Sequence, residues 1–336
     1  MRLVATTKLV WNEERMDSYG RIIDYLRISV TDRCNERCLY CMPEGYKGWA
    51  KKADHLSAAE IIRVVEASCG LGFRKFRLTG GEPLLRQDIE EIAAGIWALP
   101  GVQTLGVSTN GVRLERHAQG LKRAGVRSLN ISLDALTPQV YRTITGGNVE
   151  EVLRGIDAAL GADFEVIKLN CVLMRGVNEG EIWPLVQYAA ERKMLVRFIE
   201  LMPVSSAGVL DESRFLSVQD AMVMLAAYGR LEALPEYRPG NGPARYYQLA
   251  ELGARVGFIG ALTTPDFCES CNKLRLTADG KLRPCLGRHG ELDLVPALRN
   301  AGDVSGVILE AIRNKPENHE FAECYEPGRP MTAIGG

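Results

Sequence analysis

Six times between residues 26 and 201 a short β-branched run gives way to an amphipathic helical stretch. That alternation confines the chain to an α/β fold built on a parallel sheet. The strand candidates are residues 26–30, 75–79, 104–108, 128–133, 164–173 and 195–201. Between them, Ser57 and Glu60 form a capping box ahead of an apolar run that stops at Gly70, Thr137-Pro138 reads as a helix start, and Asn148 caps a stretch running to Gly161. Repeated units of this kind make a doubly wound sheet or an incomplete barrel, and in both the chemistry gathers where strands end. The unusual residues do sit there: Cys34 to Cys41 after the first run, Thr79-Gly80-Gly81-Glu82-Pro83 after the second, Ser108-Thr109-Asn110-Gly111 after the third, Ser132-Leu133-Asp134 after the fourth, and Glu200-Leu201-Met202-Pro203 after the sixth. One face of the sheet is therefore expected to hold the site. After residue 215 the rhythm changes, predicting a smaller second domain. There Asp279-Gly280 suits a two-residue hairpin turn between residues 272–278 and 281–285. That register sets Cys285 opposite Leu274 and calls for a strand break near Asn272 if Cys271 and Cys285 share a centre.

Cysteine supplies the sharper signal. Nine cysteines, an odd number, stand in a chain whose first residues include Arg2, Lys8, Glu13, Glu14 and Arg15 instead of an apolar leader, and no run approaches the ~18 apolar residues of a membrane span. A reducing, cytoplasmic setting is expected, without a disulfide framework. Six cysteines form two triads, Cys34/Cys38/Cys41 and Cys268/Cys271/Cys285, while Cys69 and Cys171 read as core residues and Cys324 as incidental. Thiolate triads hold zinc, copper(I) or iron-sulfur clusters. Structural zinc needs a fourth ligand, which His289, four residues past Cys285, offers the second triad; His55 is the histidine nearest the first. A cubane with three protein ligands instead leaves one iron open. His117 and His319 read as solvated. With 41 basic and 42 acidic residues, net charge -1, no overall field draws nucleic acid or an acidic membrane, so any anion must be held by a local cluster.

The run Cys34-Asn35-Glu36-Arg37-Cys38-Leu39-Tyr40-Cys41 resembles the radical SAM superfamily, as does Gly80-Gly81-Glu82-Pro83 its loop for S-adenosylmethionine. The resemblance implies an incomplete (β/α)6 barrel and a [4Fe-4S] cluster whose open iron chelates the cofactor, which is cleaved to methionine and a 5′-deoxyadenosyl radical. Arg27 ahead of Thr31-Asp32-Arg33-Cys34, Cys41-Met42-Pro43, residues 77–84, residues 197–203, Phe267-Cys268 through Arg275 and the terminal Gly335-Gly336 together are similar to the GTP 3′,8-cyclase family of molybdenum cofactor biosynthesis. This closer likeness implies a second [4Fe-4S] cluster on Cys268, Cys271 and Cys285, open to the guanine of GTP. It also implies abstraction of the C3′ hydrogen and attack on C8, giving a cyclic dihydroguanosine triphosphate.

Carried over position by position, the resemblance assigns Tyr40, Gly80, Gly81, Glu82, Ser132 and Met202 to S-adenosylmethionine. It assigns Arg27, Arg77, Ser108, Lys168, Lys273, Leu274 and Arg275 to GTP, and Gly335, Gly336 and Arg275 to the catalytic step. An external electron donor, a homodimer and transfer of product to cyclic pyranopterin monophosphate synthase are the implied partners. The implied division is an arm over 1–24, a partial barrel over 25–215 and a C-terminal α+β domain over 216–336. The residues agree in part: no G-x-x-x-x-G-K-[ST] loop exists to hold phosphates, and Lys273 and Arg275 alternate onto one side of their strand. Lys273 stands where the family usually has arginine and so lacks the bidentate fork; Ser108 replaces a common threonine and keeps the hydroxyl; Glu36 occupies a position that is often aromatic and is expected to be exposed. Other readings stay open: a radical SAM enzyme with an auxiliary cluster acting on a peptide, a zinc-stabilised binding module, and inward acids pairing with Arg77 and Lys168.

Overall fold

The computed structural model describes residues 15–42, 54–204, 212–321, 323, 325 and 328–335. Six strands, β1 (Tyr25–Ser29), β2 (Lys75–Thr79), β3 (Thr104–Thr109), β4 (Ser128–Ser132), β5 (Val166–Leu173) and β6 (Leu195–Glu200), pair in parallel and in chain order. The crossovers contain α1 (Ala58–Gly70), α2 (Ile89–Trp97), α3 (Leu114–Arg123), α4 (Pro138–Thr145), α5 (Val149–Gly161) and α6 (Ile182–Glu191). The expected caps form at two of these helices. Ser57 and Glu60 close a reciprocal box on α1, and Asn148 accepts from Glu150 N on α5. Thr137 precedes α4 without a side-chain cap; its N–H and that of Leu136 donate instead to Glu181.

The segments after residue 215 do not build a sheet of their own. They comprise α7 (Val218–Ala226), β7 (Leu231–Ala233), β8 (Arg245–Leu249), β9 (Ala254–Ile259), β10 (Lys273–Leu276), β11 (Lys281–Arg283), β12 (Leu292–Asp293), α8 (Val295–Arg299), α9 (Val304–Arg313) and α10 (Met331–Ile334). Strand β9 joins β6 and β10 joins β1, both in parallel, so one 12-stranded sheet runs β12-β11-β10-β1-β2-β3-β4-β5-β6-β9-β8-β7. The six-stranded barrel is thus left unclosed, with each edge covered as an exposed edge requires.

The outward side chains of these strands, among them Leu26, Ile28, Phe76, Leu78, Val107, Leu129, Leu169 and Phe198, pack with the helices in one apolar core. The alternate, inward positions are polar: Arg27, Arg77, Ser108, Asn130, Lys168, Asn170 and Arg197 all line a central cavity. Parallel strands are ordinarily apolar on both faces. Here the period-2 alternation produces a polar lumen.

Candidate functional site

In-register pairing puts Arg275, Arg27 and Arg77 side by side across β10, β1 and β2. Like charges on adjacent strands repel, and among the described residues no carboxylate forms an ion pair with any of them, nor with Lys168, Arg197 or Lys273. Inward acids paired with Arg77 and Lys168 are therefore absent among the described residues. Arg77 lies over Gly106, where a Cβ would stand 2.5 Å from Nη2, and donates to Tyr25 Oη (2.9 Å), Val107 O (2.9 Å) and Ser128 Oγ (3.0 Å). Arg197 donates to Asn170 Oδ1, at 2.9 Å from Nε and 2.6 Å from Nη2. Arg27 Nε is buried without a hydrogen-bond partner.

The electrostatics follow from that crowding. Lys168 is pushed down to about 6 by burial first, then by Arg197 and Arg77. Burial and then Arg27 bring Arg275 down to about 9. Burial would raise the Tyr25 phenol, yet Arg77, Arg27 and Lys273 together bring it down to about 8. Such a lumen fits a polyanion, whose phosphates would offset the crowded cations and take up the orphaned Arg27 donor.

The two thiol triads line the same cavity. Cys34, Cys38 and Cys41 follow the C-terminal end of β1, whereas Cys271 leads into the N-terminal end of its parallel neighbour β10. The triads thus lie toward opposite ends of the strands, roughly 17 Å apart along a five-residue strand. One face of the sheet does line the cavity, but the expectation that the chemistry gathers where strands end is corrected: the site runs the length of the barrel.

The hairpin register also differs from expectation. Arg275 pairs with Arg283 and Leu276 with Leu282, Thr277 N donates to Lys281 O (2.8 Å), and Gly280 has φ +84°, so the turn has three residues, Ala278 to Gly280. A three-residue turn with a left-handed glycine replaces the expected two-residue one. Extending the pairs sets Cys285 opposite Lys273, on the cavity side, not opposite Leu274. Leu274 alternates outward into the apolar core, which removes its side chain from the nucleotide contacts expected of it. His289 stacks on Tyr325 (5.0 Å between ring centroids) and does not line the cavity with the second triad. Among the described residues no three His, Cys, Asp or Glu side chains converge on a single ion.

At the other end, burial pushes Cys34 and Cys41 up to about 12 and Cys38 well above its usual value. These thiols ionise only when a metal compensates. Tyr40, Gly80, Gly81, Ser132 and Met202 line the cavity beside them. Tyr40 Oη donates to Asp134 Oδ2 (2.7 Å), and Asp134 Oδ1 accepts from Val172 N (2.8 Å). Glu82 is fully buried and does not line the cavity: its oxygens accept from Leu84 N (2.9 Å), Thr109 Oγ1 (2.7 Å) and Asn110 N (2.7 Å). It shapes the Gly80-Gly81 loop without facing a ligand. Glu36, expected to be exposed, is 3% exposed and accepts from Tyr141 Oη (2.7 Å). Its carboxyl is pushed up to about 8 by burial first, despite the phenol's hydrogen bond, with Glu82 and Asp134 adding to the rise. This buried carboxyl is tolerated because α4 supplies that phenol.

The C-terminal tail enters from the side. Arg329 pairs with Glu291 and Asp279, α10 follows, and Gly335 O accepts from Arg275 Nη1 (2.9 Å). A Cβ on Gly335, whose φ is +82°, would stand 2.8 Å from Ser29 Cβ. Gly336, Cys324, Pro43 and residues 1–14 of the N-terminal arm lie outside the described residues. His319, expected to be solvated, lines the cavity with Nε2 2.8 Å from Ala261 O, and His117 Nδ1 lies 2.9 Å from Glu90. Tyr25, Asn130, Asn170 and Arg197 are among the cavity residues that sequence reasoning did not assign; their shared alternation with Arg27, Arg77 and Lys168 was the available signal.

Residues 28–189 match the model of the Radical SAM superfamily and residues 194–321 that of Molybdenum Cofactor Synthesis C. Streptococcus suis SuiB bound to S-adenosylmethionine shares the fold at 14% identity and TM-score 0.63, over 90% of this chain and 68% of that one. Native anSMEcpe with bound AdoMet does so at 17% identity and TM-score 0.61, over 88% and 82%. The GTP 3′,8-cyclase of Pelotomaculum thermopropionicum is 43% identical over 95% of this chain and 99% of its own length. That of Alkaliphilus oremlandii is 41% identical over 95% and 99%. With this lumen, these two triads and relatives of that similarity along almost the whole sequence, the chain belongs to the GTP 3′,8-cyclase family of the radical SAM superfamily.

Proposed function

We propose that this chain converts GTP and S-adenosylmethionine to (8S)-3′,8-cyclo-7,8-dihydroguanosine 5′-triphosphate, the first step of molybdenum cofactor biosynthesis. One observation carries the reading: a buried lumen of six cations without acid partners among the described residues, bounded at both ends by thiol triads. A peptide substrate would leave those cations unmatched. Cys34, Cys38 and Cys41 suit a [4Fe-4S] cluster with one open iron, and Cys268, Cys271 and Cys285 suit a second. When bound, the first cluster supplies the electron for reductive cleavage of S-adenosylmethionine and hence the hydrogen abstraction at C3′.

The chain's own residues bind and orient. Tyr40, Ser132 and Met202, with the Gly80-Gly81 backbone, flank the first triad and hold the cofactor there. Arg27, Arg77, Lys168, Lys273 and Arg275 hold the triphosphate along the lumen, Ser108 offers it a hydroxyl, and Arg197 stands in the same cavity. Gly335 brings a residue without a side chain beside Arg275. Anaerobic incubation of reconstituted protein with S-adenosylmethionine, reductant and GTP should yield 5′-deoxyadenosine and the cyclised triphosphate together, from protein holding about eight irons per chain. Absence of both products rejects the reading.

Lys168 gives a proton-coupled signature. Its folded value near 6 lies below its ordinary 10.5, so at pH 7 the free protein holds it largely neutral. Between those values the unfolded chain binds the extra proton, and stability rises with pH across that window. A triphosphate beside Lys168 restores the charge, so GTP binding at pH 7 should take up close to one proton. Calorimetry in buffers of differing ionisation enthalpy measures it. Lys168→Met should take up about one proton fewer and bind GTP at least ~tenfold more weakly. Equal uptake by both proteins would remove Lys168 from the phosphate site.

A further inference from the structure

One buried cation at the second triad is not used by the nucleotide reading. Lys315, just past α9, is 3% exposed and is paired with no carboxylate among the described residues. Its Nζ donates to Lys273 O (2.9 Å) and to Pro284 O (2.7 Å). Lys273 lies two residues after Cys271, and Pro284 immediately precedes Cys285. An ammonium has three donors and no acceptor, and two of the three are spent on the two segments that carry Cys271 and Cys285.

The remaining cysteine is tied to the same turn. Arg21 is 8% exposed and donates from Nη1 to Cys268 O (3.1 Å) and Glu317 O (2.8 Å), and from Nη2 to Pro316 O (2.5 Å). Asp17 pairs with Arg21, at 2.6 Å from its Nε. Residues 315–317 therefore link all three cysteine segments. Arg21 has its own counter-ion, whereas Lys315 has no carboxylate partner among the described residues, and a buried charge left uncompensated is strongly destabilising.

We propose that Lys315 is the positioning residue of the Cys268/Cys271/Cys285 centre: it fixes the spacing of Cys271 and Cys285 through two carbonyls, and its buried charge beside these segments raises the reduction potential of a cluster held there. The inference rests on the reading that this triad binds an iron-sulfur cluster. Hydrogen bonds to cluster sulfurs and nearby positive charge favour the reduced, more negative state.

The test is an EPR-monitored redox titration of reconstituted full-length protein, wild type against Lys315→Met, Lys315→Gln and Lys315→Arg, with iron counted in each. In Met and Gln variants that retain about eight irons, the second cluster should reduce at a more negative potential while the first is unmoved; the Arg variant should return toward wild type. If the Met and Gln variants assemble only the first cluster while Arg restores both, the need for a cation is supported by assembly itself. An unchanged second potential in a fully loaded Met variant overturns the proposal, as does loss of the second cluster in all three variants, which would mark a packing role alone. A wild-type protein with only about four irons fails differently, removing the second cluster and not Lys315's part in it.

Discussion

Gly81→Ala should abolish cleavage of S-adenosylmethionine and lower the stability of the protein by about 1–3 kcal/mol. A Cβ at residue 81 would stand 2.3 Å from Arg33 O and 2.7 Å from Asp32 O, both backbone atoms that no rotamer change can move aside. The same segment accepts the Gly81 N–H at Thr31 O (2.7 Å) and the Glu82 N–H at Arg33 O (2.7 Å). Relieving the clash therefore breaks the bonds joining the glycine loop to the residues leading into Cys34. Iron retained by the first triad should fall along with the cleavage rate. Gly70→Ala is the control: it ends α1 with nothing within 4 Å of the added methyl, so the change should be neutral or stabilising by up to ~1 kcal/mol. Thermal unfolding, iron content and 5′-deoxyadenosine release measure the contrast. A Gly81→Ala protein that cleaves the cofactor at the wild-type rate would show that the two loops need not touch.

The six barrel strands were legible because each is a short apolar-polar alternation between strong helix signals, and their bounds fall within two residues of those expected. Which side of the alternation faces inward was not. Local pattern gives the period, but the choice between a polar lumen and a polar exterior is settled by helices covering the other face. Once that choice is known, Arg197 and Asn170 follow from the parity of β5 and β6. The C-terminal strands were harder. β9 and β10 are consecutive in the chain, yet they sit on opposite edges of the barrel sheet, a pairing no local signal encodes. The hairpin error has a similar origin: Asp279-Gly280 marks a turn, but the Thr277–Lys281 closure that makes it three residues long shifts every partner by one. Glu36 and Lys315 are buried because Tyr141 and the carbonyls of Lys273 and Pro284, distant in sequence, satisfy them.

Cys285→Ala should separate the two halves of the chemistry. The residue is half-buried at the end of β11, so truncation costs little packing, and the first triad lies beyond the opposite end of β1. The variant should therefore fold, retain about four irons instead of about eight, and still cleave S-adenosylmethionine in an uncoupled reaction within a few-fold of the wild-type rate. Cyclisation should fall by on the order of a thousandfold, equivalent to about 4 kcal/mol of transition-state stabilisation. The cations still attract the triphosphate, but without the second centre nothing fixes the guanine end relative to the cofactor, and a misplaced reacting carbon sacrifices most of the proximity term. Binding of GTP should weaken much less than turnover, since Arg27, Arg77, Lys168 and Arg275 are untouched. That split between Kd and turnover distinguishes loss of orientation from loss of the phosphate site. Normal cyclisation by a Cys285→Ala protein containing four irons would show that one cluster suffices and that the second triad serves some purpose other than holding substrate.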